Sequence, residues 1–215
     1  MARKLPVYIL VDTSGSMHGE PIEAVKNGLQ ILASALKQEP QALETAQVSV
    51  ITFGSTAQQV VPMCELQSFV PPDITASGST PLGEALALLY DCASREVVKS
   101  LPDKKGDWKP MVFLMTDGMP DSGWETGLQK FKQGKWGIVC GIGFGARSTF
   151  EPILSQICGS SENVLCAATA DQSSITKFFK WVTGSITTSS TRVDANQGEA
   201  TSISQLPPPP QEFTL

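Results

Sequence analysis

Two short runs, Val7–Val11 and Met111–Met115, carry no charged side chain at any position, and each ends in an acid: Asp12 after the first, Thr116-Asp117 after the second. They are too short for helices and lack the polar alternation of a sheet with one wet face. They fit strands covered on both faces, the situation at the centre of a parallel sheet flanked by helices. The acid then marks the carboxyl end of the strand, where the loops of such sheets bind ligands.

Around these runs the apolar spacing changes period. Ile22, Val25, Leu29, Leu32 and Leu36 recur three and four apart, with Pro21 placed for a first helical turn. Leu82, Leu86, Leu89, Ala93 and Val97 form a second stripe behind Thr80-Pro81. Strands are expected over 5–11, 48–53, 57–61, 111–115, 136–142 and 164–166, with Gly54-Ser55 turning the chain between the second and third. Further helices are expected near 124–133 and 150–157, and along Ile175, Phe179, Val182 and Ile186. The order β-α-β-β-α-β-α-β-α-β-α predicts an α/β, doubly wound, mostly parallel six-stranded sheet with one antiparallel edge strand, in strand order 3-2-1-4-5-6. Residues 1–188 read as one domain. Residues 189–215, rich in Ser, Thr, Gln and Gly before Pro207–Pro210, read as a polar, Pro-rich C-terminal tail.

Composition narrows the function. With 21 acidic and 16 basic residues the net charge is -5, which argues against a general nucleic-acid binder. No apolar run approaches the ~20 residues of a membrane helix. Arg3-Lys4 and the following apolar run faintly resemble a signal peptide, but Asp12 cuts the run short and no small-residue cleavage site follows. A cytoplasmic protein with no membrane partner is expected. Cys64, Cys92, Cys140, Cys158 and Cys166 are odd in number and lack a C-x-x-C pair, and His18 is the only histidine, so neither a zinc site nor a disulfide framework is expected.

The chemistry-bearing residues fall in three loops: Asp12-Thr13-Ser14-Gly15-Ser16, Gly78–Pro81, and Thr116-Asp117-Gly118. Singly, each has a structural explanation. Ser14 and Ser16 can cap a helix or hold a turn, Thr80 before Pro81 can be an N-cap, and Asp-Gly is a turn dipeptide. In a 3-2-1-4-5-6 sheet, however, the strands ending at Asp12 and Asp117 are neighbours flanking the crevice. Acids and hydroxyls gathered there are what a hard cation prefers.

In the residues Asp12, Ser14, Ser16, Thr80 and Asp117 the chain resembles the von Willebrand factor A (VWA) domain, whose metal-ion-dependent adhesion site (MIDAS) is D-x-S-x-S, a distant Thr and a distant Asp in a T-D-G context. The resemblance covers roughly residues 5–188. It implies a metal-dependent protein-protein interaction module rather than an enzyme. Those five residues would be its metal ligands, Mg²⁺ (or Mn²⁺ or Ca²⁺) its cofactor, and a Glu or Asp carboxylate of another protein would take the open coordination position. The whole sequence is similar to the bacterial, tellurium-resistance-associated TerY type. That similarity implies a stress-response setting with a Ser/Thr kinase and a PP2C-type phosphatase as partners.

Rival readings are weaker. A haloacid-dehalogenase-type phosphohydrolase would use Asp12 as nucleophile beside Mg²⁺, but it wants an acid where this chain has Ser14. A serine hydrolase needs a base, and His18 lies two residues from Ser16 in an expected turn. Gly141–Ala146 matches the dinucleotide pattern G-x-G-x-x-A but follows a late strand, so a tight turn is expected there and no NAD. Met17, His18, Met119 and Trp124 flank the motif loops as candidate rim residues. Thr183, Ser185, Thr187, Thr188, Ser189, Ser190 and Thr191 cluster where the last helix is expected to meet the tail, a candidate site of phosphorylation.

Overall fold

The computed structural model describes residues 3–213. Strands β1 (Leu5–Asp12), β2 (Ala46–Phe53), β3 (Ala57–Glu65), β4 (Met111–Thr116), β5 (Val139–Phe144) and β6 (Val164–Ala167) form one sheet in the order β3-β2-β1-β4-β5-β6. β3 runs antiparallel to β2, and the other neighbours are parallel. Helices α1 (Glu20–Leu36), α2 (Pro40–Thr45) and α6 (Gln172–Asp194) cover one face; α3 (Leu82–Glu96), α4 (Trp124–Phe131) and α5 (Arg147–Cys158) cover the other. The expected doubly wound sheet and its strand order are observed.

The two apolar runs are the central strands. Val7, Ile9 and Val11 join the core under α1 and α6, while Tyr8 and Leu10 face α3. Met111, Phe113 and Met115 alternate with Val112 and Leu114 in the same way. Burial on both sides is therefore why the runs show no polar period. Tyr8, the one polar-tipped member, donates its hydroxyl to Glu96 Oε2 at 2.8 Å. Burial, and then that carboxylate, push its phenol well above the ordinary tyrosine range.

Several boundaries differ from expectation for physical reasons. α2 has six residues, too few to show a periodic stripe. β5 starts at Val139 rather than Trp136, because the Trp136 ring stacks on Phe131 at 4.7 Å and its N–H bonds the Phe131 carbonyl, closing the end of α4. The glycines of Gly141–Ala146 do more than turn the chain. A Cβ on Gly143 would lie 2.3 Å from the Phe150 side chain, so the pattern brings α5 hard against β5.

The C-terminal expectation needs the largest correction. The composition change at Ser189 is not a structural break: α6 continues to Asp194. The segment after it packs back on the domain as a strap, burying Ala200, Leu206 and Phe213 in the α1/α6 core. Trp181 donates its indole N–H to the Pro207 carbonyl at 2.8 Å. The Thr183–Thr191 cluster consequently lies inside α6. Thr183, Ser185, Ser189 and Ser190 are buried and Thr191 is exposed. Among the described residues, no helix is long and apolar enough to cross a membrane.

Candidate metal centre

β1 and β4 pair with Val11 opposite Met115, so Asp12 and Thr116-Asp117 leave the sheet side by side where its strand order reverses. After Asp12 the chain makes one tight 3₁₀ turn, Gly15–Met17, before α1 begins. The 77–80 loop is held to that turn by backbone bonds: Ser77 N–H to the Thr13 carbonyl at 2.8 Å and Gly15 N–H to the Gly78 carbonyl at 3.0 Å. Gly78 has φ 81°, a left-handed conformation that costs glycine little, and a Cβ there would lie 2.5 Å from the Ser55 backbone.

Four of the five predicted ligands form one hydrogen-bonded chain. Asp12 is fully buried; its Oδ1 accepts from Ser14 N–H at 2.8 Å and its Oδ2 from the Thr116 hydroxyl. The Ser14 and Ser16 hydroxyl oxygens are 3.0 Å apart, and Ser16 donates to Asp117 Oδ1 at 2.6 Å. Thr80 joins from the third loop. Its hydroxyl stands so close to Gly118 that a Cβ there would lie 2.6 Å from it. The cluster grades from buried Asp12 and Ser14, through half-buried Asp117, to exposed Ser16, so its outer end faces solvent.

The capping explanations for Ser14 and Thr80 do not hold. Ser14 occupies the cap position of the 3₁₀ turn, yet no side chain caps it. Helix α3 begins one residue later than Thr80-Pro81 suggested, with Pro81 in the cap position and again no side-chain cap. The hydroxyls that capping would consume are directed elsewhere.

Two acids, Asp12 and Asp117, share the cluster. Burial is the main cause that raises the Asp12 carboxyl above the ordinary aspartate range, and the nearby charge of Asp117 adds to it. Bonds from Ser14 and Thr116 pull the other way. Among the described residues no three His, Cys, Asp or Glu side chains converge as a metal cage, so the donor set is two carboxylates with neutral hydroxyls. That set is hard and oxygen-only. Mg²⁺–O bonds of about 2.1 Å place adjacent octahedral ligands about 3.0 Å apart. The Ser14–Ser16 separation of 3.0 Å meets that spacing and the Ser16–Asp117 separation of 2.6 Å is somewhat tighter.

Sequence reasoning missed two supporting residues. Thr116 braces Asp12, although it sits in the tripeptide that singled out Asp117. Asp121 fixes the Thr80 loop: it accepts from the Ser79 hydroxyl at 2.6 Å and the Thr80 N–H at 3.3 Å, and its own N–H bonds the Thr80 carbonyl. Its position four residues beyond Asp117 was the available signal. Of the expected rim, His18 and Met119 are exposed, Met17 is fully buried in the α1 core, and Trp124 is half-buried against the α3 side. Met17 faces inward because the 3₁₀ turn rotates it under α1.

The sequence pattern of the von Willebrand factor type A domain matches residues 7–119, which include all five cluster residues. A comparison with curated proteins finds no match. Among solved structures, proximal thread matrix protein 1 from the mussel byssus, with a zinc-occupied MIDAS motif, is 20% identical with a TM-score of 0.58, over 85% of this chain and 48% of that one. The pilus adhesin SpaC from Lactobacillus rhamnosus GG is 14% identical with a TM-score of 0.69, over 87% and 30%. The vWF domain of the type V pili tip protein Mfa5 from Porphyromonas gingivalis is 8% identical with a TM-score of 0.63, over 91% and 97%. At these identities the likeness is one of fold. The chain spans about half the length of the mussel protein and under a third of SpaC.

Proposed function

The chain belongs to the von Willebrand factor type A domain family, and from that premise we propose that it is a metal-dependent protein-docking module in which Asp12, Ser14, Ser16, Thr80 and Asp117 hold Mg²⁺, with Mn²⁺ or Ca²⁺ as substitutes. The observation that carries the reading is the hydrogen-bonded run of two acids and two hydroxyls from buried Asp12 to exposed Ser16, with no side chain spent on capping the turn. The exposed outer end leaves room for one further ligand, and a Glu or Asp side chain of a partner protein is the anionic oxygen donor that suits it. The zinc-occupied MIDAS motif of the mussel protein supports a divalent ion at this place in the fold.

The same geometry favours binding over hydrolysis. A nucleophilic Asp12 would have to present a carboxylate oxygen to substrate, yet both oxygens are engaged and the residue is fully buried. Ser16 bonds Ser14 and Asp117, and among the described residues no hydrogen bond joins it to His18, the imidazole a Ser-His-Asp triad would need.

We place the module in the cytoplasm, in keeping with five free cysteines, four of them buried. The TerY-like character of the sequence favours a kinase- and PP2C-phosphatase-linked stress system, including tellurium resistance, as its setting. Within the Thr183–Thr191 cluster, Thr191 is the exposed hydroxyl, in the last turn of α6, and is the candidate for phosphorylation.

The test is thermal. Mg²⁺ at about 100 times its Kd stabilises a native state by about 2.7 kcal/mol. For a domain of this size that raises Tm by roughly 5–10 °C. Asp12→Ala is expected to abolish the rise, and an unchanged rise in that variant overturns the assignment. Partners held through the metal are expected to elute with EDTA.

A further inference from the structure

At the opposite end of the sheet from the metal loops lies a second surface that the docking reading does not use. The chain leaving α3 and the chain entering β4 enclose a cleft of about 540 Å³ together with the end of α4. Its lining carries Arg3, Lys99, Lys109 and Lys135 against Asp107 and Glu199, a local excess of positive charge in a chain whose net charge is -5.

The acids are already committed. Asp107 Oδ1 accepts from Lys4 N–H and its Oδ2 from Val98 N–H, and Glu199 pairs with Lys109 at 3.3 Å. Arg3 is spent on stacking: its guanidinium lies 3.4 Å from the centroid of the Trp108 ring and its Nε–H bonds the Gly106 carbonyl. Lys99 and Lys135 are exposed and take part in no ion pair among the described residues. The loop at the lip exposes Val98, which lines the cleft, and Leu101, just beyond its lining, at 55% and 65%, two of the four large apolar residues exposed among the described residues.

We propose that this cleft docks an acidic peptide segment of a partner protein, with Lys99 and Lys135 meeting its carboxylates and Val98 and Leu101 its aliphatic anchor. Charge complementarity sets the sign of the occupant. The lining sets its class. Arg3 lies over one face of Trp108 and Phe131 over one face of Trp136, so each of these rings has one face taken up within the protein. Beside the rings of Tyr90, Trp108 and Trp136 the cleft offers two uncommitted ammonium groups and the aliphatic surface of Val97 and Val98, which suit acidic and branched side chains. Lysines near the ends of α3 and α4 also complement the helix dipoles, but that role leaves Val98 and Leu101 without a reason to be exposed.

A random peptide library displayed on phage, selected on the immobilised full-length chain in EDTA, tests this independently of the metal. The expected outcome is enrichment of sequences combining Asp or Glu with Leu, Ile or Val. A synthetic copy of the most enriched peptide should bind the Asp12→Ala variant as it binds wild type, lose at least tenfold in affinity for Lys99→Glu/Lys135→Glu, and lose affinity for Leu101→Ser. Both lysines are exposed and unpaired, so an unchanged Tm shows that the double variant remains folded. Enrichment without acidic bias, or peptides that bind the double variant as tightly as wild type, overturns the proposal. Acidic peptides displaced by Asp12→Ala would assign them to the metal end instead and equally overturn it. ATP binding that Lys99→Glu/Lys135→Glu abolishes, with no acidic peptide enriched, would reassign the cleft to nucleotides and overturn the proposal.

Discussion

Two sets of hydroxyls are drawn into this fold and treated in opposite ways. At the carboxyl end of the sheet, Ser14, Ser16 and Thr116 each bond a carboxylate or one another around Asp12 and Asp117. On α6, Ser185, Ser189 and Ser190 are buried with hydroxyl oxygens that meet no partner among the described residues. The first set holds its oxygens toward acids; the second buries them without using them. α6 packs against α1 closely enough that a Cβ on Gly28 would lie 2.2 Å from the Phe179 side chain. A buried hydroxyl is therefore informative about function only when its partners are acids.

Thr116→Val sharpens the contrast most strongly. The swap keeps the shape but leaves Asp12 Oδ2 facing a methyl group in a buried site, and losing a donor to a buried charged group costs about 3 kcal/mol. Urea unfolding at neutral pH measures it, and a loss under ~1 kcal/mol would place Asp12 in a wetter site than its burial indicates. Gly118→Ala comes next. Its new Cβ would sit 2.6 Å from the Thr80 hydroxyl. The expected result is a stability loss of about 1–2 kcal/mol from overpacking, together with a weaker Tm response to Mg²⁺. An Mg²⁺ response equal to wild type would remove Thr80 from the ligand set. On α6 the sign reverses. Ser189→Ala deletes an unpartnered hydroxyl and improves helix propensity, so a gain of roughly 1 kcal/mol is expected in the same urea assay. A loss would reveal that the hydroxyl bonds the preceding helical turn.

The same contrast explains what the sequence could and could not reveal. The central strands were legible because burial on both faces erases polar alternation, and β1 and β4 have no other environment. The cluster residues were legible because acids and hydroxyls at strand ends stand out against such runs. Thr116 was hidden in plain view, since a threonine ending a β-strand is ordinary until its partner across 104 residues is known. Met17 was misplaced because a single 3₁₀ turn has no periodicity to orient it. The strap was least legible. Ala200, Leu206 and Phe213 are single apolar residues in polar surroundings, and their burial depends wholly on a surface built by distant parts of the chain.

The smallest expected effect probes that strap. Trp181 packs edge-on to Phe113 of β4 at 5.9 Å and donates to the Pro207 carbonyl, so it joins the sheet, α6 and the proline run in one side chain. Trp181→Phe keeps most of the aromatic contact and removes the donor. A net hydrogen bond of this kind is worth about 0.5–1 kcal/mol. Because the strap lies outside the sheet, the loss should be local: amide exchange over 195–213 accelerates while β1 and β4 keep their protection. Acceleration spreading into β4 would mean that the strap folds as one unit with the sheet. Composition alone would then have mistaken an integral part of the domain for an appendage.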